Sequence, residues 1–135
     1  MLKQKNKIIE IDGVKYRLGK LDARSASYMA MKTAAVLAPA LGSGNGMDVQ
    51  AAASALPKMS RAEFDEIQTM LLKTVCKLEV AGNTDMPVPV LKSDGSFVDA
   101  DMAYDAMTVI RLTTEALMFN IGGFFQGAGL SQTMK

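Results

Sequence analysis

Few side chains in this sequence could carry out chemistry. The chain contains no histidine and a single cysteine, Cys76. Catalytic triads, Cys–His pairs and imidazole zinc sites all require histidine, so these classes of site are excluded. Cys76 follows Val75 in a run with helical apolar spacing, where a thiol is a buried structural residue, not a nucleophile. A lone cysteine also forms no internal disulfide and favours a reducing compartment.

The densest acidic cluster consists of Asp94, Asp99, Asp101 and Asp105. Carboxylate oxygens are the ligands that Ca²⁺ and Mg²⁺ prefer, but this spacing does not match a calcium loop. A turn residue, a helix cap and first-turn charges account for all four aspartates. The glycine run at 42–46 lacks the lysine and hydroxyl residue of a phosphate-binding loop. The sequence therefore predicts no metal, no cofactor and no enzymatic activity.

Apolar helical side chains are more abundant than one compact core requires. The chain has eleven methionines, whose flexible thioethers fill cores but also line grooves that adapt to apolar partners. Residues 70–72 and 117–119 are consecutive apolar triplets, and one buried helical stripe cannot include all three members of a triplet. Adjacent phenylalanines at 124 and 125 either plug the core or anchor a partner. The predicted partner-binding residues are Met70, Leu72, Met118, Phe119, Phe124, Phe125 and Leu130.

The composition is that of one globular domain. The chain has 135 residues, of which 49% are apolar and 21% are charged, so residues 1–135 form a single core. A net charge of +1 gives no electrostatic case for nucleic acid or an anionic membrane. No apolar run is long enough to span a bilayer. We predict a disordered basic arm at 1–6, a flexible loop at 42–46 and an apolar, glycine-rich tail at 124–135.

The first half of the chain predicts a hairpin and two helices. Residues 7–18 alternate between apolar and charged side chains around Asp12-Gly13, which is typical of a β-hairpin with a tight turn. Asp22 caps a helix that extends to Leu37 and ends before Pro39. Its predicted buried stripe contains Tyr28, Met31, Ala35 and Ala38. A short helix follows over residues 48–56.

The second half predicts two long helices separated by an extended segment. Ser60 and Glu63 have capping-box spacing and begin a helix that runs to about Gly82. Residues 86–91 are extended because of their prolines, and residues 88–91 and 96–98 are candidates for a second hairpin. Asp99 or Asp101 caps the last helix, which the glycines at 122 and 123 terminate. The two helices are expected to pack through Ile67, Leu71, Val75 and Leu78 on the first and Met107, Ile110 and Leu117 on the second, and their apolar stripes also include Phe64, Ala103 and Ile121.

The predicted fold is thus an α+β domain. It has a small N-terminal β-hairpin followed by three to four helices, with room for a second short hairpin before the last helix.

Both ends of the chain resemble a known family. Residues 12–18 (DGVKYRL) with Lys20-Leu21, and residues 116–125 (ALMFNIGGFF), are similar to the opening and the close of the bacteriophage tail assembly chaperones. The resemblance implies a protein in the cytoplasm of the bacterial host. It also implies a chaperone that holds apolar helices of the tape measure protein soluble during tail assembly.

Other interpretations of the sequence remain open at this stage. A structural tail or head component that is retained in the virion is the first alternative, and a second copy of the chain is the alternative partner. A small enzyme using Asp99, Asp101 or Asp105 with a divalent ion is a further hypothesis from a different class. A small DNA-binding module is disfavoured by the charge balance.

Overall fold

The computed structural model describes residues 5–41 and 58–127. Within them lie four β-strands and three α-helices. In chain order the elements are β1 (Asn6–Ile11), β2 (Val14–Gly19), α1 (Ala23–Leu41), α2 (Arg61–Leu72), β3 (Val75–Ala81), β4 (Thr84–Pro89), a 3₁₀ helix (Met102–Tyr104) and α3 (Ala106–Gly127).

The four strands form one antiparallel sheet in the order β1-β2-β3-β4. The β1–β2 hairpin turns at Asp12 and Gly13, which have φ angles of 51° and 81°. Positive φ at both central residues is the type I′ geometry that Asp-Gly favours, so the predicted tight turn at this position is confirmed. The two hairpins join where β2 pairs with β3 from Leu18↔Val75 to Tyr16↔Lys77.

The predicted fold of a hairpin followed by helices is wrong, because the hairpin is half of a four-stranded sheet, and one of its strands, β3, comes from residues assigned to a long helix. The capping box at Ser60 and Glu63 is present, but α2 ends at Leu72. Residues 75–81 form β3, which pairs with β4 through a turn at Gly82 and Asn83. Val75 and Leu78 continued the helical spacing of α2 by coincidence. The alternation from Val75 to Ala81 and the β-branched Thr74 and Val75 instead favour a strand.

Several helix boundaries and faces also differ from the predictions. Tyr28 and Met31 do not lie on a buried stripe, because they are 43% and 70% exposed. The Tyr28 hydroxyl donates to Glu66 Oε1 at 2.9 Å and joins α1 to α2 at the surface. The helix α1 continues past Pro39 to Leu41, and α3 continues past Gly123 to Gly127.

The segment between β4 and α3 is mostly irregular. The turn at 93–96 is present, but the second hairpin predicted from residues 88–91 and 96–98 is reduced to one bridge, Leu91↔Phe97. The short helix predicted at 48–56 and the loop at 42–46 lie outside the described residues.

The core lies between one face of the sheet and the helices. Tyr16 and Leu18 from β2 and Val75 from β3 are at most 4% exposed and face this layer. The helices contribute Met29 and Ala30 from α1, Ile67, Leu71 and Leu72 from α2, and Leu112, Ala116, Leu117 and Ile121 from α3.

Candidate partner-binding surface

Helix α3 begins at an aspartate cap that differs from the predicted ones. Asp105 Oδ1 accepts from the backbone N–H of Thr108 at 3.1 Å, and Asp105 Oδ2 accepts from the Thr108 hydroxyl at 2.8 Å. These two hydrogen bonds lower the pKa of Asp105 below its usual value. Asp99 instead accepts from the N–H of Asp101 at 2.9 Å, two residues along the chain. The cap satisfies a free N–H group in the first turn of α3 and so stabilises the start of the helix.

Helix α3 presents two different faces. The inward face is fully buried at Leu112, Ala116 and Leu117. On the opposite side, Met107 is 79% exposed, whereas Met118 is half-buried and packs in part against the core. At about 100° and 1.5 Å per residue, these two methionines lie within about 20° of each other around the axis and about 16 Å apart along it.

Arg111 lies between the two methionines on the same side of the helix. Its Nε is 3.1 Å from Glu115 Oε2, so this cation is paired within its own helix. We call Met107, Arg111 and Met118 the outer stripe of α3. The prediction that Met107 belongs to the buried stripe is wrong.

A groove borders the first half of the outer stripe. It encloses about 260 Å³ between the β1–β2 turn and the first three turns of α3. Apolar atoms of Ile11 and Ile110 contribute to its wall. Tyr104, which is 92% exposed, precedes α3 by two residues. The residues that line the groove are Ile11, Asp12, Met107, Thr108, Ile110, Arg111 and Thr114.

The far half of α3 is fastened to the segment between β2 and α1. Asn120 Oδ1 accepts from the N–H of Leu21 at 2.7 Å, and Asn120 Nδ2 donates to the carbonyls of Gly19 and Ala116 at 3.2 and 2.9 Å. Lys20 Nζ lies 4.2 Å from the centroid of the Phe119 ring. Asn120 thus holds this end of α3 against the segment between β2 and α1, a role that was not predicted from the sequence. The sequence contains one indication of it, since Asn120 is an amide side chain among the apolar residues at the end of the helix.

The predicted partner-binding residues do not form one patch. Met118 and Phe119 are half-buried on α3, Met70 is half-buried on α2, and Leu72 is only 2% exposed and lies in the core. The backbone at Phe124 and Phe125 belongs to α3, but their side chains lie outside the described part of the chain, as does Leu130. Tyr104 and the groove were not predicted.

The carboxylates of the acidic cluster take separate structural roles. Asp94 accepts from the N–H and the hydroxyl of Ser96, which lowers its pKa. Asp99 pairs with Lys77 Nζ at 3.5 Å. Burial raises the pKa of Tyr16, and the negative charges of Asp105 and Asp99 raise it further. Among the described residues, no group of three His, Cys, Asp or Glu side chains could hold a metal ion.

Cys76 lies in β3 and not in a helix. It is half-buried, and its Sγ is 3.8 Å from Nη2 of Arg17 on the neighbouring strand. Arg17 and Cys76 are paired in the register of β2 and β3, so both side chains lie on the face of the sheet opposite the helices. No helix within the described ranges is both long and apolar enough to cross a bilayer.

The described residues form a small sheet covered on one side by helices, with Met107 exposed on the last helix. Residues 12–131 match the family described as phage tail assembly chaperone protein, TAC. The match covers most of the 135 residues, so the chain belongs to the phage tail assembly chaperone family. No curated protein and no solved structure matches the chain significantly.

Proposed function

We propose that this chaperone acts without catalysis and binds apolar helices of a tape measure protein, keeping them soluble in the bacterial cytoplasm until the tail is assembled. The observation that carries the proposal is the outer stripe of α3, where Met107 is 79% exposed beside an apolar groove. An exposed, flexible thioether at the mouth of a groove suits partners whose sequences vary, because it can repack around different side chains.

The outer stripe has the dimensions of a helix-binding surface. Met107 and Met118 are about three helical turns apart. An amphipathic helix that lies along α3 would bring its apolar residues against both methionines, and one of these residues would enter the groove. Between the methionines, the carboxylate of Glu115 neutralises the charge of Arg111. The middle of the stripe therefore needs no charged partner on the bound helix.

The two phenylalanines near the end of α3 are expected to differ in this role. Position 125 follows Met107 by about five full helical turns and therefore falls on the same side of the helix as the outer stripe. Position 124 falls about 100° away, on the side that carries Leu117. We propose that Phe125 extends the partner surface.

Co-expression with a helical segment of the tape measure protein tests the proposal. Met107→Asp and Met118→Asp should each lower the soluble fraction of that segment, because a charge at either position opposes apolar contact. Met31→Asp is the matched control, since Met31 is also exposed (70%) but lies on α1. Circular dichroism and the melting temperature should establish that all three variants remain folded.

The same assay separates the two phenylalanines. Phe125→Ala should reduce co-solubility without lowering the melting temperature, and Phe124→Ala, about 100° away around the helix, is its neighbouring control. If all stripe variants protect the segment as well as Met31→Asp does, then the proposed surface is wrong.

Mass spectrometry of purified phage particles addresses the alternative role. A chaperone should be absent from the particles, and its stoichiometric presence would support a structural tail or head component instead.

A further inference from the structure

The sheet has a second face that no described element covers. In β2 and β3, Arg17 and Cys76 share this outer face, and the register places Ile8 of β1 and Pro89 of β4 in the same row. Alternation along the strands then assigns eleven side chains to it, of which Asn6 is polar and uncharged. The apolar ones are Ile8, Cys76, Leu78, Val80, Pro87 and Pro89, and the charged ones are Glu10, Lys15, Arg17 and Asp85.

Along β3, from residue 77 to residue 80, the charged side chains face the helices and the apolar side chains face away from them. Lys77 and Glu79 are on the side of the helices, whereas Leu78 and Val80 are on the outer face. A one-sided antiparallel sheet normally places its polar residues outward. Val80 is 79% exposed and Ile8 is 59% exposed, so water contacts both in the isolated chain. This inversion indicates that the outer face has an apolar partner.

From the shape and charge of this face we infer that it binds a second copy of the same chain, sheet against sheet. The face carries two positive and two negative side chains, so its formal charge is zero. A twofold arrangement can therefore place the cations of one copy against the carboxylates of the other, as a self-complementary interface requires. Two sheets pack face to face at about 10 Å.

The size of the face sets the strength of the association. Four strands at about 4.8 Å and five residues at about 3.4 Å give about 300 Å² per copy. The two copies together would bury less than the roughly 1,200 Å² of a standard stable interface. The dimer should therefore be reversible and no tighter than micromolar. The inference does not depend on the proposed tape measure role, because it concerns the opposite side of the molecule.

Sedimentation equilibrium of the full chain, in a concentration series reaching the millimolar range, tests the inference. Wild type should show a monomer–dimer equilibrium. Val80→Asp should weaken it by about tenfold or more, because the dimer would bury an unpaired charge. Met107→Asp is the matched control, since Met107 is also 79% exposed but lies on the helical side, and it should leave dimerisation unchanged.

Exchanging the charges of Glu10 and Lys15 tests dimerisation a second way, without changing any apolar residue of the face. Glu10 and Lys15 are cross-strand partners. Lys15→Glu should weaken dimerisation because it makes the face net negative on both copies. Adding Glu10→Lys should restore it.

Three results would overturn the inference. The first is a wild-type chain that stays monomeric at every concentration. The second is equal weakening by Val80→Asp and Met107→Asp. The third is a Val80→Asp variant whose melting temperature falls sharply below that of a monomeric wild type, because the chain itself would then cover this face. Tape measure co-solubility should be retained in Val80→Asp and lost in Met107→Asp, so the two proposals fail separately.

Discussion

The two faces of α3 show how one helix can serve stability and recognition separately. Leu117 on the inward face is fully buried among residues of the sheet and the other helices. Met118, the next residue, is half-buried on the outer stripe, and Met107 on the same stripe is 79% exposed. Leu117, Met118 and Met107 are all apolar, so hydrophobicity alone does not distinguish them. What differs is the extent of burial, because Met118 packs only partly against the core and Met107 is largely in water.

The largest expected effect is on the inward face. Leu117→Ala should lower the free energy of unfolding by about 2 to 5 kcal/mol, because it removes a buried side chain and leaves a cavity. Met118→Ala is the neighbouring control and should cost only about 1 kcal/mol, since its side chain is half-buried. Urea unfolding measures both. Equal losses in the two variants would contradict the division of α3 into two faces.

The next effect concerns the hydrogen bonds that hold the far half of α3. Asn120→Ala leaves the N–H of Leu21 and the carbonyl of Gly19 without their partner, which should cost about 1 to 3 kcal/mol in urea unfolding. Asn120→Asp retains an acceptor for Leu21 but loses the donor to Gly19, so an intermediate loss is expected. If Asn120→Ala unfolds at the same urea concentration as wild type, the fastening does not contribute to stability.

A smaller effect should appear as a pH dependence at the start of α3. Hydrogen bonds from Thr108 lower the pKa of folded Asp105. The carboxylate therefore stabilises the fold above its unfolded pKa of about 3.9, and this contribution is lost as the pH falls through the lower, folded value. Asp105→Asn keeps a capping side chain that does not titrate. Its melting temperature should fall less steeply than that of wild type on acidification, and parallel curves would refute this role.

The smallest expected effect on stability is on the outer stripe. Met107→Ala should change the free energy of unfolding by no more than about 0.5 kcal/mol, because the side chain is largely in water. The same variant should reduce co-solubility of the tape measure segment. A stability loss comparable to that of Leu117→Ala would place Met107 in the core and remove it from the partner surface.

The sequence was sufficient where local chemistry determines the conformation. Asp12-Gly13 specifies its turn, and Ser60 with Glu63 specifies the start of α2, whatever the rest of the chain does. The end of α2 has no such local signal, since no glycine or proline comes directly after Leu72. The dipeptide Gly82-Asn83 was a readable hairpin signal. It was interpreted as a helix end because the apolar spacing from Phe64 to Leu78 fitted a helix.

The surface was harder to predict than the fold. Met118 was assigned to partner binding from its place in an apolar triplet, whereas Met107 was assigned to the core. When a helix is apolar on several sides, the sequence does not show which side is buried against the sheet. The helix phase follows from long-range contacts such as those of Asn120 with Gly19 and Leu21.

The position of two prolines in β4 has a consequence for solubility. The pair Val75–Val90 is hydrogen-bonded, so strand alternation points the nitrogens of Pro87 and Pro89 away from β3, toward the open edge. At both positions that edge offers carbonyl acceptors but no donors, and an incoming strand cannot complete its ladder there. The two prolines thereby block one route by which strands of other copies could add to the sheet.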